Sequence, residues 1–422
     1  MAVLDAALRF GRPVAPLLAV LPSRRTKLAA FVLSPRVRAT PWALYAELQR
    51  REPVLRTRFD AVLVSRHADV TAVLRDRTTS VDEARATAFA DADRSSPMSQ
   101  VTRRMMLFRD PPDHERLRRL VSRAFTPRRV TELRGAVEEV VARRLDRLHP
   151  AGGADLVDEL AYPVPIEVVC RLLGIPERDH DRVRRLAAPI AVAFDVDLFR
   201  DEAVEQAGDV AALELEAYLR AAATTPALRA PDGLLAELVD AAGDDRLTLD
   251  EVIATAALLL LAGHETTSNL LSAGVLALLA DPAAAQRWRD GDPLVEATAT
   301  DELLRFTSPV QFTQRVVTER TEVGGTTVEP GELLALLLGA ANRDPTVFAD
   351  PQRLDLARDP NPHVGFGTGI HACLGAALAR LEADVAVPAI LRRWPDLRLD
   401  GRPRWRPTFV LRGLSTLPVR WS

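Results

Sequence analysis

The stretch from Ile253 to Ala280 is the most restrictive feature of the chain. It is apolar and about long enough to cross a bilayer, which takes about 20 such residues. Its centre, however, reads His264-Glu265-Thr266-Thr267-Ser268-Asn269. An acid at mid-membrane costs roughly 2.5–3.5 kcal/mol, and the hydroxyls and amide add to that. The segment therefore reads as a helix buried inside a water-soluble fold, and no transmembrane anchor is expected. With 422 residues, 47% of them hydrophobic, the chain can build the large core such a helix needs, and disorder is excluded.

Helical periodicity dominates the remainder. Residues 1–35 carry Pro13, Pro16 and Pro22 and an acid, Asp5, where a signal peptide wants positive charge; they read as an irregular arm. Thr40-Pro41 opens a helix over Pro41–Arg51, and alternation around Val54–Val64 suggests a short strand pair. Thr78–Phe108 has little periodicity and reads as a long loop, a type that tends to be functional. Helical patterns recur from Pro112 to Arg220. Gly324-Gly325 marks a hairpin turn, and Leu397–Val419 reads as strands and turns. Length alone suggests roughly three domains. No repeat, low-complexity tract or linker divides the chain, so the expected fold is mainly α with small β-sheets, as one domain over 36–422.

Charge narrows the function further. The 55 basic and 58 acidic residues leave a net charge of -3, which speaks against a nucleic-acid binder. Lys27 is the single lysine, so a Walker-type phosphate loop is excluded. Two cysteines, Cys170 and Cys373, allow neither a disulfide framework nor a four-cysteine zinc site and fit a reducing cytoplasm. Cys170 lies in the apolar run YPVPIEVVCRLLG and reads as an inert core thiol. Cys373 follows a glycine-dense loop (Gly365, Gly367, Gly369) and precedes Gly375 and an amphipathic helical pattern. A helix N-terminus lowers a thiol pKa and favours the thiolate. GFGTGI lacks the third glycine of a dinucleotide fingerprint, and His264-Glu265 lacks the second histidine of a zincin helix. What survives is a single thiolate bound to a cofactor that supplies its own remaining ligands, as haem does.

Phe366-x-x-Gly369-x-x-x-Cys373-x-Gly375 resembles the haem-binding signature of the cytochrome P450 family. The resemblance implies that Cys373 is the proximal thiolate on iron, that Phe366 and Gly367 pack around it, and that His371 bonds a haem propionate. Three further motifs fall in family order. Glu302 and Arg305 sit at i and i+3, on one helix face, and resemble the ExxR element that braces the cysteine loop. Its third member matches Arg353 best, with Arg358 also fitting. Ala262-Gly263-His264-Glu265-Thr266-Thr267 resembles the oxygen-binding segment. There Ala262 and Gly263 leave room for dioxygen, and the catalytic pair Glu265 and Thr266 relays protons. His114 and Arg118, at i and i+4, resemble a propionate clamp, with Arg315 as a second arginine.

The resemblance extends over nearly the whole chain beyond the first ~30 residues. It implies a cytochrome P450 fold around haem b and a cytoplasmic, monomeric monooxygenase. This enzyme would oxidise a hydrophobic small molecule with O2, plausibly in secondary metabolism. Electrons would come from NAD(P)H through a reductase and a ferredoxin, docked by Arg116, Arg119 and Arg123. Substrate contacts are expected from Phe89, Leu258, Val310, Gln311, Phe312 and Val410, and from the regions around Phe194–Phe199 and Phe409–Leu411. The alternatives are a haem-thiolate protein that binds but does not oxygenate, such as a sensor or carrier, an atypical member doing oxidative coupling or peroxide-driven chemistry, and a non-haem thiol enzyme. His67, His149 and His180 carry no partner pattern.

Overall fold

A computed structural model describes residues 31, 34–57, 61–90, 94–148, 150, 152–195, 202–243 and 247–422. The arm expected at 1–35 lies almost wholly outside the described residues, as do His149 and 196–199. The elements that build the site are, in chain order, α1 (Trp42–Arg51), β1 (Val54–Arg56), β2 (Ala61–Val64), α2 (His67–Arg75) and β3 (Thr79–Ser80). Next come α3 (Asp113–Val121), α4 (Arg134–Leu148), α5 (Pro163–Leu173), α6 (Glu177–Ala193) and α7 (Glu202–Thr224). They are followed by α8 (Leu249–Leu279), α9 (Pro293–Thr307), β4 (Thr313–Val317), β5 (Thr321–Val323), β6 (Thr326–Val328), β7 (Leu333–Leu336) and α10 (Ala376–Arg393).

The apolar stretch is indeed one helix, α8. A capping box starts it: the Thr248 hydroxyl accepts the Glu251 N–H at 3.2 Å, and the Glu251 carboxylate accepts the Thr248 N–H at 2.9 Å. Such reciprocal caps satisfy two orphan donors of the first turn. Among the described residues, no single helix is long and apolar enough to cross a membrane. Instead, α8 divides its burial between two cores. Val252–Leu260 packs with α3, α5, α6 and α7, while Leu270, Leu271, Val275 and Leu278 pack with α4, α9 and α10. The polar sextet sits at the junction of the two, buried except for Thr266.

The strand pair at 54–64 forms as expected, antiparallel, with Leu55 opposite Leu63. It belongs to a sheet of order β1-β2-β7-β4-β3, in which only β2 and β7 run parallel. Gly324 and Gly325 turn the β5–β6 hairpin with φ of 53° and 78°, as a two-residue hairpin loop requires. Two expectations need correction. Thr78–Phe108 is broken by β3 and by short helical turns at Glu83–Arg85, Thr87–Phe89, Pro97–Thr102 and Met106–Phe108. Asp82 and Ser96 cap two of these turns through the Ala84 and Ser99 N–H groups, local bonds that hydrophobic periodicity does not register. And α10 is not cleanly amphipathic: Leu378, Glu382 and Ala386 are buried on one side and Ala383, Val387 and Leu391 on the other, because it runs between α4, α8 and α9.

Gly174 closes α5 with φ 78°, and a Cβ there would lie 2.9 Å from the Gly233 Cα. Replacement by alanine combines left-handed strain with a backbone clash. Gly174→Ala should therefore cost more than about 1 kcal/mol, read as a lower urea midpoint at unchanged slope. An unshifted midpoint would show that this contact yields freely.

Candidate active site

The backbone delivers Cys373 first. The loop folds back so that the Cys373 N–H donates to the Phe366 carbonyl at 2.8 Å. Gly369, at φ 76°, presses against α2, and a Cβ there would sit 2.3 Å from the Leu74 carbonyl oxygen. Gly375 opens α10. The Cys373 side chain faces a cavity of about 1430 Å³ lined also by Gly263, Thr266, Phe366, Gly367, Gly375 and Arg315. Typical small-molecule pockets occupy about 300–1,000 Å³, so this one holds a large group and a substrate together.

The thiol departs from expectation. Burial raises its pKa, and the Gly375 N–H with the Arg118 and Arg380 charges only partly offset that. A metal cation that took this sulfur would favour its anionic form. Cys170 is fully buried, and burial pushes its thiol up as well.

Above one edge of the loop, four donors converge. The His114 and His371 rings lie 4.0 Å apart. Arg118 donates to the Ala372 carbonyl at 2.6 Å and Arg315 to the Gln314 carbonyl at 2.7 Å. Neither arginine has a carboxylate within ion-pair distance among the described residues. The His114 Nδ1 is buried with no hydrogen-bond partner. The crowding shows in the titration: burial, with His114, Arg315 and Arg118 beside it, drives His371 down to about 3. Burial lowers Arg315 to about 10, and burial and Arg118 lower His114. Donors gathered this way suit an anion. The two carboxylates of haem fit that need, the orphaned Nδ1 included, and the large cavity with its single thiol fits the rest of the group.

The cysteine loop is braced from α9. Glu302 and Arg305, both fully buried, pair at 2.7 and 2.8 Å. Arg305 donates to the carbonyls of Asn342, Pro351 and Arg353. The third arginine is Arg358, whose Nε reaches both Glu302 oxygens at 3.2 and 3.1 Å. Arg353, the better sequence match, contributes only its carbonyl; its side chain points to solvent and pairs with Asp355.

On α8, the Thr266 hydroxyl donates to the Ala262 carbonyl at 2.8 Å and Thr267 to Gly263 at 3.1 Å. Ala262 is open to the cavity, whereas the bare side of Gly263 faces Val169 of α5 at 3.4 Å. His264 Nδ1 donates to the Leu260 carbonyl at 2.6 Å, so its Nε2 accepts from the Tyr162 hydroxyl at 3.1 Å. That is the neutral ring, consistent with burial lowering its pKa. Glu265 lines the cavity with one oxygen bonded to Arg406 and the other, Oε2, buried without a hydrogen bond. Arg406 lies 141 residues downstream in an unpatterned tail, and no local spacing could have found it.

Of the expected substrate contacts, Phe89, Leu258, Val310, Phe312 and Val410 line the cavity. Gln311 does not. Extended backbone alternates sides, so between Val310 and Phe312 it points away, accepting from the Tyr45 hydroxyl at 2.9 Å and donating to the Ser308 carbonyl at 2.6 Å. Phe409 is likewise turned from the cavity, against Phe31 and Arg38. Arg116, grouped with the docking residues, is tied instead to Glu251 and Asp113; Arg119 and Arg123 are exposed. The His67 ring bonds the Pro362 carbonyl and packs edge-on against Phe348, while its backbone N–H donates to Asp344, and the His180 ring bonds the Ile175 carbonyl.

Removing one partner of a buried ion pair costs about 3–5 kcal/mol. Arg358→Leu should therefore lower the denaturation midpoint sharply and reduce haem uptake. Arg353→Leu, with its carbonyl retained, should leave both within experimental error of the parent. The opposite ranking would reinstate Arg353.

The sequence model of the cytochrome P450 family matches residues 293–404, from α9 through the cysteine loop and beyond. Nocardicin C N-oxygenase of Nocardia uniformis subsp. tsuyamanensis is 43% identical over 391 residues, 89% of this chain and 94% of that protein. The 6-deoxyerythronolide B hydroxylase of Saccharopolyspora erythraea is 36% identical over 390 residues, 89% and 95% of the two chains. Among solved structures, P450BioI in complex with a hexadec-9Z-enoic acid ligated acyl carrier protein superposes with a TM-score of 0.85 at 34% identity. That match covers 92% of this chain and 100% of the other. The fold, the cysteine loop and these likenesses agree: the chain belongs to the cytochrome P450 family, and it is a haem-dependent monooxygenase.

Proposed function

We propose that residues 36–422 form one haem-binding unit that oxidises a hydrophobic small molecule of secondary metabolism. The observation that carries this is the convergence of His114, Arg118, Arg315 and His371 beside the one cavity-facing thiol, the two arginines having no carboxylate of the described residues within ion-pair distance. Cys373 would take the iron, and those four donors would hold the propionates. The chemistry haem b supplies when bound is oxygen insertion: one atom of O2 enters the substrate, and the other leaves as water with two electrons and two protons.

The chain's own residues do the rest. Apolar side chains at Phe89, Leu258, Val310, Phe312 and Val410 exclude water from the reacting bond and favour an apolar substrate. Glu265 accepts from Arg406 with one oxygen and keeps Oε2 free of hydrogen bonds, so that oxygen can accept a proton and pass it on. The Thr266 hydroxyl keeps its lone pairs available while it donates to Ala262, and turning that hydroxyl passes a proton into the cavity. The named relatives act on different secondary metabolites, so the substrate is best found by screening apolar compounds for a low- to high-spin shift of the holoenzyme. With such a compound in hand, Thr266→Ala should lower product formed per NAD(P)H by about 10²-fold, in the range of one proton-transfer group, with peroxide replacing product. Fully coupled turnover would remove Thr266 from the relay.

Electrons arrive from NAD(P)H through a reductase and a ferredoxin. Because α3 bonds the Ala372 carbonyl through Arg118, its exposed Arg119, with Arg123 just beyond, presents positive charge beside the cysteine loop. Arg119→Glu with Arg123→Glu should slow reduction by an acidic ferredoxin roughly tenfold at low salt, with the difference vanishing as ionic strength rises. Salt-independent rates equal to the parent's would place the donor elsewhere.

A further inference from the structure

The cavity wall is fastened at a point the reaction itself does not explain. Asp195, directly after α6, is 4% exposed. Its carboxylate accepts two successive backbone N–H groups, from Phe409 and, at 2.6 Å, from Val410. The 409–412 turn is held on its other side by main-chain bonds: Gln311 N–H to the Val410 carbonyl at 2.8 Å and Arg412 N–H to the Pro309 carbonyl at 2.7 Å. One end of the clasp is thus a turn anchored on the segment leading into β4. The other end is the terminus of α6, whose Phe194 lines the cavity and meets Phe108 at 5.6 Å between ring centroids. Val410 lines the same cavity.

We propose that Asp195 is a positioning residue that clasps the end of α6 to the 409–410 turn, holding Phe194 and Val410 in place and thereby setting how fast bulky ligands reach and leave the cavity. A carboxylate suits the task because it accepts at both oxygens. Asparagine keeps one acceptor and turns an amide N–H against the second backbone donor. The inference rests on the reading of this cavity as the haem and substrate site, so haem loading must be verified separately in each variant.

The test uses the holoenzyme with Asp195→Asn and Asp195→Ala, and two iron-binding probes of different size, 4-phenylimidazole and cyanide. Each variant is first checked for the reduced carbon monoxide spectrum of the parent; a protein that never shows that spectrum, parent included, overturns the cavity reading and this proposal with it. The clasp predicts that association and dissociation of 4-phenylimidazole both quicken at least fivefold while cyanide rates stay within twofold. It also predicts faster hydrogen exchange at the Phe409 and Val410 amides. Should alanine prevent folding, asparagine carries the same prediction. Unchanged 4-phenylimidazole rates would overturn the clasp. So would an equal acceleration for both probes, which would mark general loosening.

Discussion

Glu302 is the residue on which the site depends. Its buried carboxylate accepts from Arg305, from Arg358, from the Asp355 N–H at 2.9 Å and from the Asn361 side chain at 3.3 Å. A charge taken out of water costs several kcal/mol unless its lone pairs are filled, and here the donors come from both α9 and the 355–361 segment. The same charge therefore ties a helix to the chain that enters the cysteine loop. Asn342 extends the brace, its side chain accepting the Val364 N–H at 2.8 Å two residues before Phe366 enters the cavity wall at Phe366–Gly367. Cys373 is aimed by this frame and by the loop's own turn, with little help from the helix that follows it.

The opposing wall follows from a conflict in α8. Its two halves are claimed by separate cores, and the segment between them buries polar side chains that apolar packing cannot satisfy. Thr266 and Thr267 satisfy themselves on the preceding turn, His264 is satisfied by Leu260 and Tyr162, and Glu265 by Arg406. Glu265 Oε2 and both polar atoms of the Asn269 side chain are left over. An unfilled lone pair in a buried carboxylate is expensive to maintain, and this one lies on a residue of the cavity wall, beside the His264 ring.

What the sequence revealed depended on range. Cys373 with its glycines, Glu302 with Arg305, and His114 with Arg118 are local spacings, and helix or turn geometry alone brings each set together. The choice between Arg353 and Arg358 was not legible in this way. It turns on the path of irregular backbone, which sends Arg353 outward while its carbonyl remains inside. Gln311 was misplaced because a run of candidates was read as one surface, although extended chain alternates its sides. Arg406 and Asp195 act across 141 and about 215 residues, through a tail whose pattern shows only strands and turns. The thiol acidity was misjudged for a different reason. The helix start was weighed without the burial that outweighs it.

The central claim is that Cys373 is the thiolate on haem iron. It is tested most directly by the absorption spectrum of the reduced, haem-loaded protein under carbon monoxide, recorded for the parent and for Cys373→Ser. The account predicts a strongly red-shifted Soret band in the parent that disappears in the variant. A parent that takes up no haem, or a red-shifted band that survives the substitution, would contradict it.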